Sequence, residues 1–154
     1  MSYVRASLLG AVDGVITSFA IVAGADALTS SVQTVLVVGS SSLLADGVSM
    51  GVSEFLSSTS EQVLQKNSTS PIVLGAVCFT SFVVCGFVPL CTYLVFESLL
   101  VTSALTLLEL VLLGSVRTAF THEQLLVALT QTTVLGVFAG SVAFGVGWIS
   151  AQFL

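Results

Sequence analysis

Charge is what this chain has least of. Of its 154 residues three are basic and eight acidic, so that 7% are charged, against roughly a quarter in a soluble globular domain. So little polar surface cannot cover a water-soluble fold of this size, which places the chain among integral membrane proteins. Three basic residues under a formal net charge of −5 cannot form a phosphate-binding patch, and this excludes nucleic acid as a partner. Histidine occurs once. The three cysteines, Cys78, Cys85 and Cys91, fall in or near one apolar stretch and read as small hydrophobes within a span. A tight zinc site would need closer thiolate spacing and other ligands nearby. No nucleophile with an adjacent base, no phosphate-cradling glycine loop and no cofactor motif occurs. The expectation is therefore a chain that is not an enzyme, has no catalytic residue and holds no tightly bound cofactor.

What remains is hydrocarbon: 55% of the residues are hydrophobic, and mean hydropathy is +1.11. The apolar runs divide into five candidate spans, about 6–25, 32–57, 71–95, 99–116 and 125–150. Each is near the ~20 residues needed to cross ~30 Å of hydrocarbon. The fold class is an all-α bundle of five transmembrane helices, and residues 1–154 form one transmembrane domain. Arg5 before the first apolar run faintly resembles a secretory signal, but no cleavage pattern follows and the run contains Asp13, so it reads as a retained helix. Arg5, Lys66 and Arg117 all fall on the same side of a five-span chain, and the positive-inside rule puts that side, with the N-terminus, in the cytosol. Trp148 then lies near the opposite interface. Asn67-Ser68-Thr69 matches a glycosylation acceptor but would face the cytosol unused. Pro71 suits the first turn of span three, and the short connection before it makes spans two and three antiparallel neighbours. His122 and Glu123 read as a solvated loop or a helix cap after Thr121.

Two carboxylates interrupt the apolar runs: Asp13 in span one and Asp46 in span two. A charge near the bilayer centre costs at least ~2.5–3.5 kcal/mol on insertion scales, so each needs an interior partner, an ion or a proton. Residues four apart share one helix face, which makes Ser42, Asp46, Met50 and Glu54 a continuous stripe. Counting from the cytosolic ends at 1.5 Å per residue, Asp13 and Met50 both lie roughly 10–12 Å deep. Asp13 is thus expected to meet Met50 and Glu54, with Asp46 a turn deeper. Carboxylates with a thioether suit Fe²⁺, Mn²⁺ or a similar borderline cation better than Mg²⁺, and intramembrane acids can exchange a proton for a metal ion. Asp13, Asp46, Met50 and Glu54 are the candidate metal ligands. Glu54 could instead snorkel to the interface, Met50 could be a gap-filler, and Glu109 in span four is a further acid that is either functional or pairs helices. Glycines flank both aspartates, as Gly10-x-x-x-Gly14 and Gly47-x-x-x-Gly51, and recur as Gly136-x-x-x-Gly140 with Gly145 and Gly147. Such small-residue patterns let helix backbones approach closely.

At these residues the chain resembles the vacuolar iron transporter family. GAVDGVITSFAIVAGA is similar to that family's first-helix motif, and LLADGVSMGVSEFLSSTSE to its second. FTSFVVCGFVPLCTYL, LLGSVRTAFT and the glycine-rich fifth span resemble the remaining helices in order. The resemblance implies five transmembrane helices, a homodimer with the ion path at or near the subunit interface, and proton-coupled movement of Fe²⁺ or Mn²⁺ out of the cytosol. It places Asp13 and Met50 at transport-site positions, and Asp46 and Glu54 at acids seen in many members. Full members carry a long glutamate-rich cytosolic domain between helices two and three, whereas here that region is about 57 to 70, with Glu61 as its one acid. The expected function is a proton-coupled divalent metal transporter, with Fe²⁺ or Mn²⁺ as the transported ion, in a vacuolar, other organellar or plasma membrane. The alternative is a non-transporting structural subunit of a larger membrane complex. Besides lipid, the partner is a second copy of the chain or, on the alternative, that complex.

Overall fold

A computed structural model describes residues 2–28, 31–65, 69–121 and 124–153. Five helices account for nearly all of them: α1 (Ser2–Ala27), α2 (Val32–Gln65), α3 (Pro71–Phe96), α4 (Leu99–Thr121) and α5 (Leu125–Ser150). All five are long and apolar enough to cross a membrane, and the chain is a multi-pass integral membrane protein. Four helices match the expected spans to within a few residues at each end. α2 is the exception, since it stays helical through the polar stretch Ser57–Gln65. Hydropathy marks where hydrocarbon ends, not where the backbone stops coiling. The expected α2–α3 loop of 57–70 therefore shrinks to a few residues. Lys66, Asn67, Ser68, His122 and Glu123 lie outside the described residues.

The ends are locally encoded. Ser70 is extended (φ −69, ψ 118) and Pro71 follows in the first turn of α3, where its missing N–H leaves nothing unsatisfied. Glu97 ends α3 in the left-handed region (φ 46), its N–H donating to the Tyr93 carbonyl, a common helix terminator even where the residue is not glycine.

α1 sits at the centre, in contact with all four other helices, and α2 packs on α1 and α3 alone among the described residues. The register can be read from the glycines. A Cβ on Gly10 would run into the Cys78 carbonyl, and one on Gly14 into the Phe82 carbonyl, so α1 and α3 run parallel at backbone contact. Gly51 and Gly75 face each other carbonyl to Cα, and Gly39 meets Leu90, so α2 and α3 are antiparallel neighbours as expected. Gly24 and Gly147 close α1 against α5. Without a hydrophobic drive between helices in lipid, close approach and dispersion supply the association energy. Between them lie Val22, Val35, Leu43, Phe82, Leu90 and Tyr93, all buried.

Gly145 and Gly147 give a contrast within one helix. A Cβ on Gly145 meets nothing within 4 Å, whereas one on Gly147 collides with the Gly24 carbonyl. Gly145→Ala is expected to be neutral or stabilising by up to about 1 kcal/mol, from helix propensity. Gly147→Ala should destabilise by about 1–3 kcal/mol through overpacking. Thermal unfolding of the two variants in detergent distinguishes them. Equal melting temperatures would contradict this packing of α1 on α5.

Candidate functional site

α1 and α2 form a ladder of polar rungs. At one end the Arg5 guanidinium Nη2 donates to Glu54 Oε1 at 2.6 Å. The arginine is half exposed (53%) and the glutamate buried (4%). Ser58 Oγ donates to the same oxygen at 3.2 Å from one turn further along α2. Eight residues along α1 stands Asp13, and eight residues back along α2 stands Asp46. The glycines that follow them, Gly14 and Gly47, both meet α3 at the level of Phe79 to Val83. Asp13 and Asp46 are therefore level with each other, and their carboxylates lie within electrostatic reach. Met50 falls between the two rungs and packs against Ala6, Leu74 and Cys78 on one side and the main apolar core on the other.

The register differs by about one turn from the expected one. Asp13 meets Asp46, not Glu54, and Glu54 meets Arg5. The tight α1–α3 and α2–α3 glycine contacts fix the helix heights, and these heights cannot be obtained by counting residues from assumed membrane surfaces. The four candidate ligands are spread along the α1–α2 pair, from buried Glu54 at the Arg5 end to exposed Asp46 about two turns away. Glu54 reaches the site already neutralised. Among the described residues no group of three or more His, Cys, Asp or Glu side chains is close enough to hold an ion. What the described residues do offer is two carboxylates at one level and within electrostatic reach, with a thioether one turn away.

Exposure divides the set. Asp13 is half-buried, Met50 half-buried, and Asp46 exposed on the outer face of α2. Val48, Val52 and Leu56 on the same helix are also more than half exposed or nearly so, at 56%, 50% and 57%. An outward aspartate beside such residues is stable in a bilayer only if something polar covers it.

Sequence reasoning missed the Arg5–Glu54 pair, although Arg5 was the one cation near the start of α1 and Glu54 the acid nearest the same end of α2. It also missed the link at the opposite end of the bundle, where the Tyr93 hydroxyl donates to Asp26 Oδ1 at 2.7 Å. The cysteines behave as small apolar residues: Cys78 is buried, Cys85 half-buried and Cys91 exposed, all free thiols.

The ion pair carries its own prediction. Arg5→Ala leaves Glu54 buried without its cation and should destabilise the chain by about 1–3 kcal/mol. Arg5→Ala/Glu54→Gln should recover part of that loss, because the uncompensated charge is gone. Unchanged thermal stability of Arg5→Ala in detergent would show that the pair contributes nothing.

A family model described as the VIT family matches residues 4–70 and 62–148. A vacuolar iron transporter from Toxoplasma gondii (strain ATCC 50861 / VEG) is 47% identical over 60 residues, 39% of this chain and 20% of the relative. Vacuolar iron transporters from Plasmodium berghei (strain Anka) and Plasmodium falciparum (isolate 3D7) are 37% and 40% identical over 59 and 55 residues, 38% and 36% of this chain. The matched segments span about a fifth of the length of these relatives, 20–22%.

Proposed function

The chain belongs to the VIT family, and on that premise we propose that it carries divalent metal ions, Fe²⁺ or Mn²⁺, across a membrane out of the cytosol in exchange for protons. The observation that supports this best is the level pairing of Asp13 with Asp46, with Met50 one turn away. Two facing carboxylates in a low-dielectric setting repel unless a cation or a proton lies between them. That alternation, ion or proton, is what an exchanger needs. The Met50 sulfur adds a soft donor that favours Fe²⁺ or Mn²⁺ over Mg²⁺.

In this reading the ion meets the chain first at the Arg5–Glu54 end. α1 begins and α4 ends at that end, so Arg5 and Arg117 share it, and the positive-inside rule places it in the cytosol. Glu54, held by Arg5, marks the mouth and joins the ion's ligands when the guanidinium swings away. Met50 follows, and Asp13 with Asp46 forms the deepest stage. Protons taken up by these acids on the far side return as the metal leaves. The membrane is a vacuolar, other organellar or plasma membrane.

A second copy completes the site. Among the described residues α2 packs on α1 and α3 alone, and Asp46 is exposed on it. A homodimer with α2 near its axis covers Asp46 and supplies the further oxygen ligands that one chain lacks. Equilibrium binding of Mn²⁺ to the purified chain, read by loss of the free-ion electron paramagnetic resonance signal, tests the assignment. Asp13→Asn/Met50→Leu, which keeps the volume that packs on both apolar clusters, should abolish saturable binding while leaving thermal stability near wild type. Undiminished binding by that double variant would sink the site.

A further inference from the structure

α4 has a polar face that the Asp13–Asp46 ladder does not use. Thr102, Thr106 and Glu109 stand at steps of four and three, which puts them on one side of the helix. Thr102 and Thr106 are fully or almost fully buried, at 0% and 2% exposed. Hydroxyls in apolar helices usually donate to the carbonyl one turn back, as Ser81, Ser103 and Thr130 do here. Thr102 Oγ1 and Thr106 Oγ1 make no such bond, and neither they nor the buried Glu109 Oε2 has any partner. Ser18 of α1, 0% exposed, has an equally unpartnered Oγ.

Gly136 of α5 contacts both Leu110 of α4 and Ile16 of α1, which sets Glu109 and Ser18 at nearly the same height. Ser18 Oγ lies against Gly86 of α3. The adjacent residue, Cys85, is within electrostatic reach of Glu109. Thr106 and Thr102 carry the line about 10 Å further along α4. It ends near the α3–α4 turn, where Tyr93 holds Asp26.

An unpartnered buried oxygen costs roughly 1–3 kcal/mol, and four of them along α4 and the adjoining turn of α1 call for a polar ligand. Polar cavities of this kind hold water, each molecule with two to four partners. We propose that Ser18, Thr102, Thr106 and Glu109 line a water-bearing, proton-binding pocket between α1, α3 and α4, separate from the Asp13–Asp46 pair. The ligand is water, with Glu109 as the group that takes and releases the proton. On α3 the Cys85 thiol lies within electrostatic reach of Glu109, and described α5 carries no titratable side chain.

The pocket does not depend on metal transport, so its test needs none. Infrared difference spectra of the full chain in lipid nanodiscs, recorded across a pH titration, should contain a protonated-carboxyl C=O band that Glu109→Gln removes. The band should shift on transfer from H₂O to D₂O, at a rate resolved by rapid-mixing infrared measurement. Thr102→Val/Thr106→Val keeps the side-chain shape but takes away the hydroxyls, and should slow that exchange several-fold while the band survives. A spectrum in which Glu109→Gln removes no such band overturns the proposal. So does a Glu109 band that never exchanges, or one whose exchange is as fast in the threonine double variant as in the wild type. Mn²⁺ binding of Glu109→Gln should equal that of the wild type, which separates this pocket from the metal site.

Discussion

Gly14→Val is expected to leave little or no folded chain. A Cβ at Gly14 would lie on the Phe82 carbonyl, with the Phe82 Cα at 3.0 Å. These are backbone atoms in mid-helix, so no rotamer change relieves the clash and α1 must move off α3. Among the described residues α1 is the one helix that touches all the others, so moving it also loosens α4, α5 and the α2 ladder. Overpacking in a tight core costs about 1–3 kcal/mol and sometimes more. With two branched methyls against a carbonyl at the hub, a loss of at least about 3 kcal/mol is expected. Fluorescence-detected size exclusion in mild detergent checks this. Gly14→Val should yield aggregate, whereas Gly145→Ala should elute as wild type. A monodisperse, wild-type-like Gly14→Val would show that α1 and α3 do not touch through their backbones.

Asp13→Asn has the largest expected effect on function. The change keeps shape and hydrogen-bonding atoms but removes the charge that, on the proposed mechanism, attracts the cation and exchanges it for a proton. Even outer-shell partners of a metal ligand are worth about 10–100-fold, so loss of a direct carboxylate should reduce metal uptake by about 100-fold or more. Asp46→Asn should cost less in a single chain, being exposed, and as much as Asp13→Asn if a second copy buries it. Met50→Leu keeps the volume and removes the sulfur, so it should weaken Fe²⁺ more than Mn²⁺. Uptake assays with each variant, normalised to folded protein, give the ranking. An Asp13→Asn chain that transports at the wild-type rate would exclude Asp13 from the ion path.

Much of this was legible in the sequence because hydrocarbon imposes few solutions. Five apolar runs of sufficient length gave five helices, Pro71 gave the start of α3, and paired glycines gave the tight contacts. Asp13, Asp46 and Met50 stood out because charge and sulfur are scarce in these spans. The relative height of α1 and α2 was not legible, since it is set by Gly10, Gly14, Gly47 and Gly51 docking on α3. The expected level of Asp13 with Met50 was one turn off for that reason, and its meeting with Glu54 about two. The extension of α2 to Gln65 was hidden because a polar helix leaves no hydropathy signal. The α4 face was hidden because a threonine in an apolar span reads as self-satisfied by back-bonding. Only the structure shows that Thr102 and Thr106 do not bond back while Ser103, between them, does.

Metal uptake by the wild-type chain in proteoliposomes under an imposed pH gradient tests the central claim most directly. With the far-side compartment acidic, Fe²⁺ or Mn²⁺ should accumulate there while protons leave it, and collapsing the gradient with a protonophore should stop both. A folded, correctly reconstituted chain that moves neither ion, or moves metal with no countermovement of protons, would contradict the account.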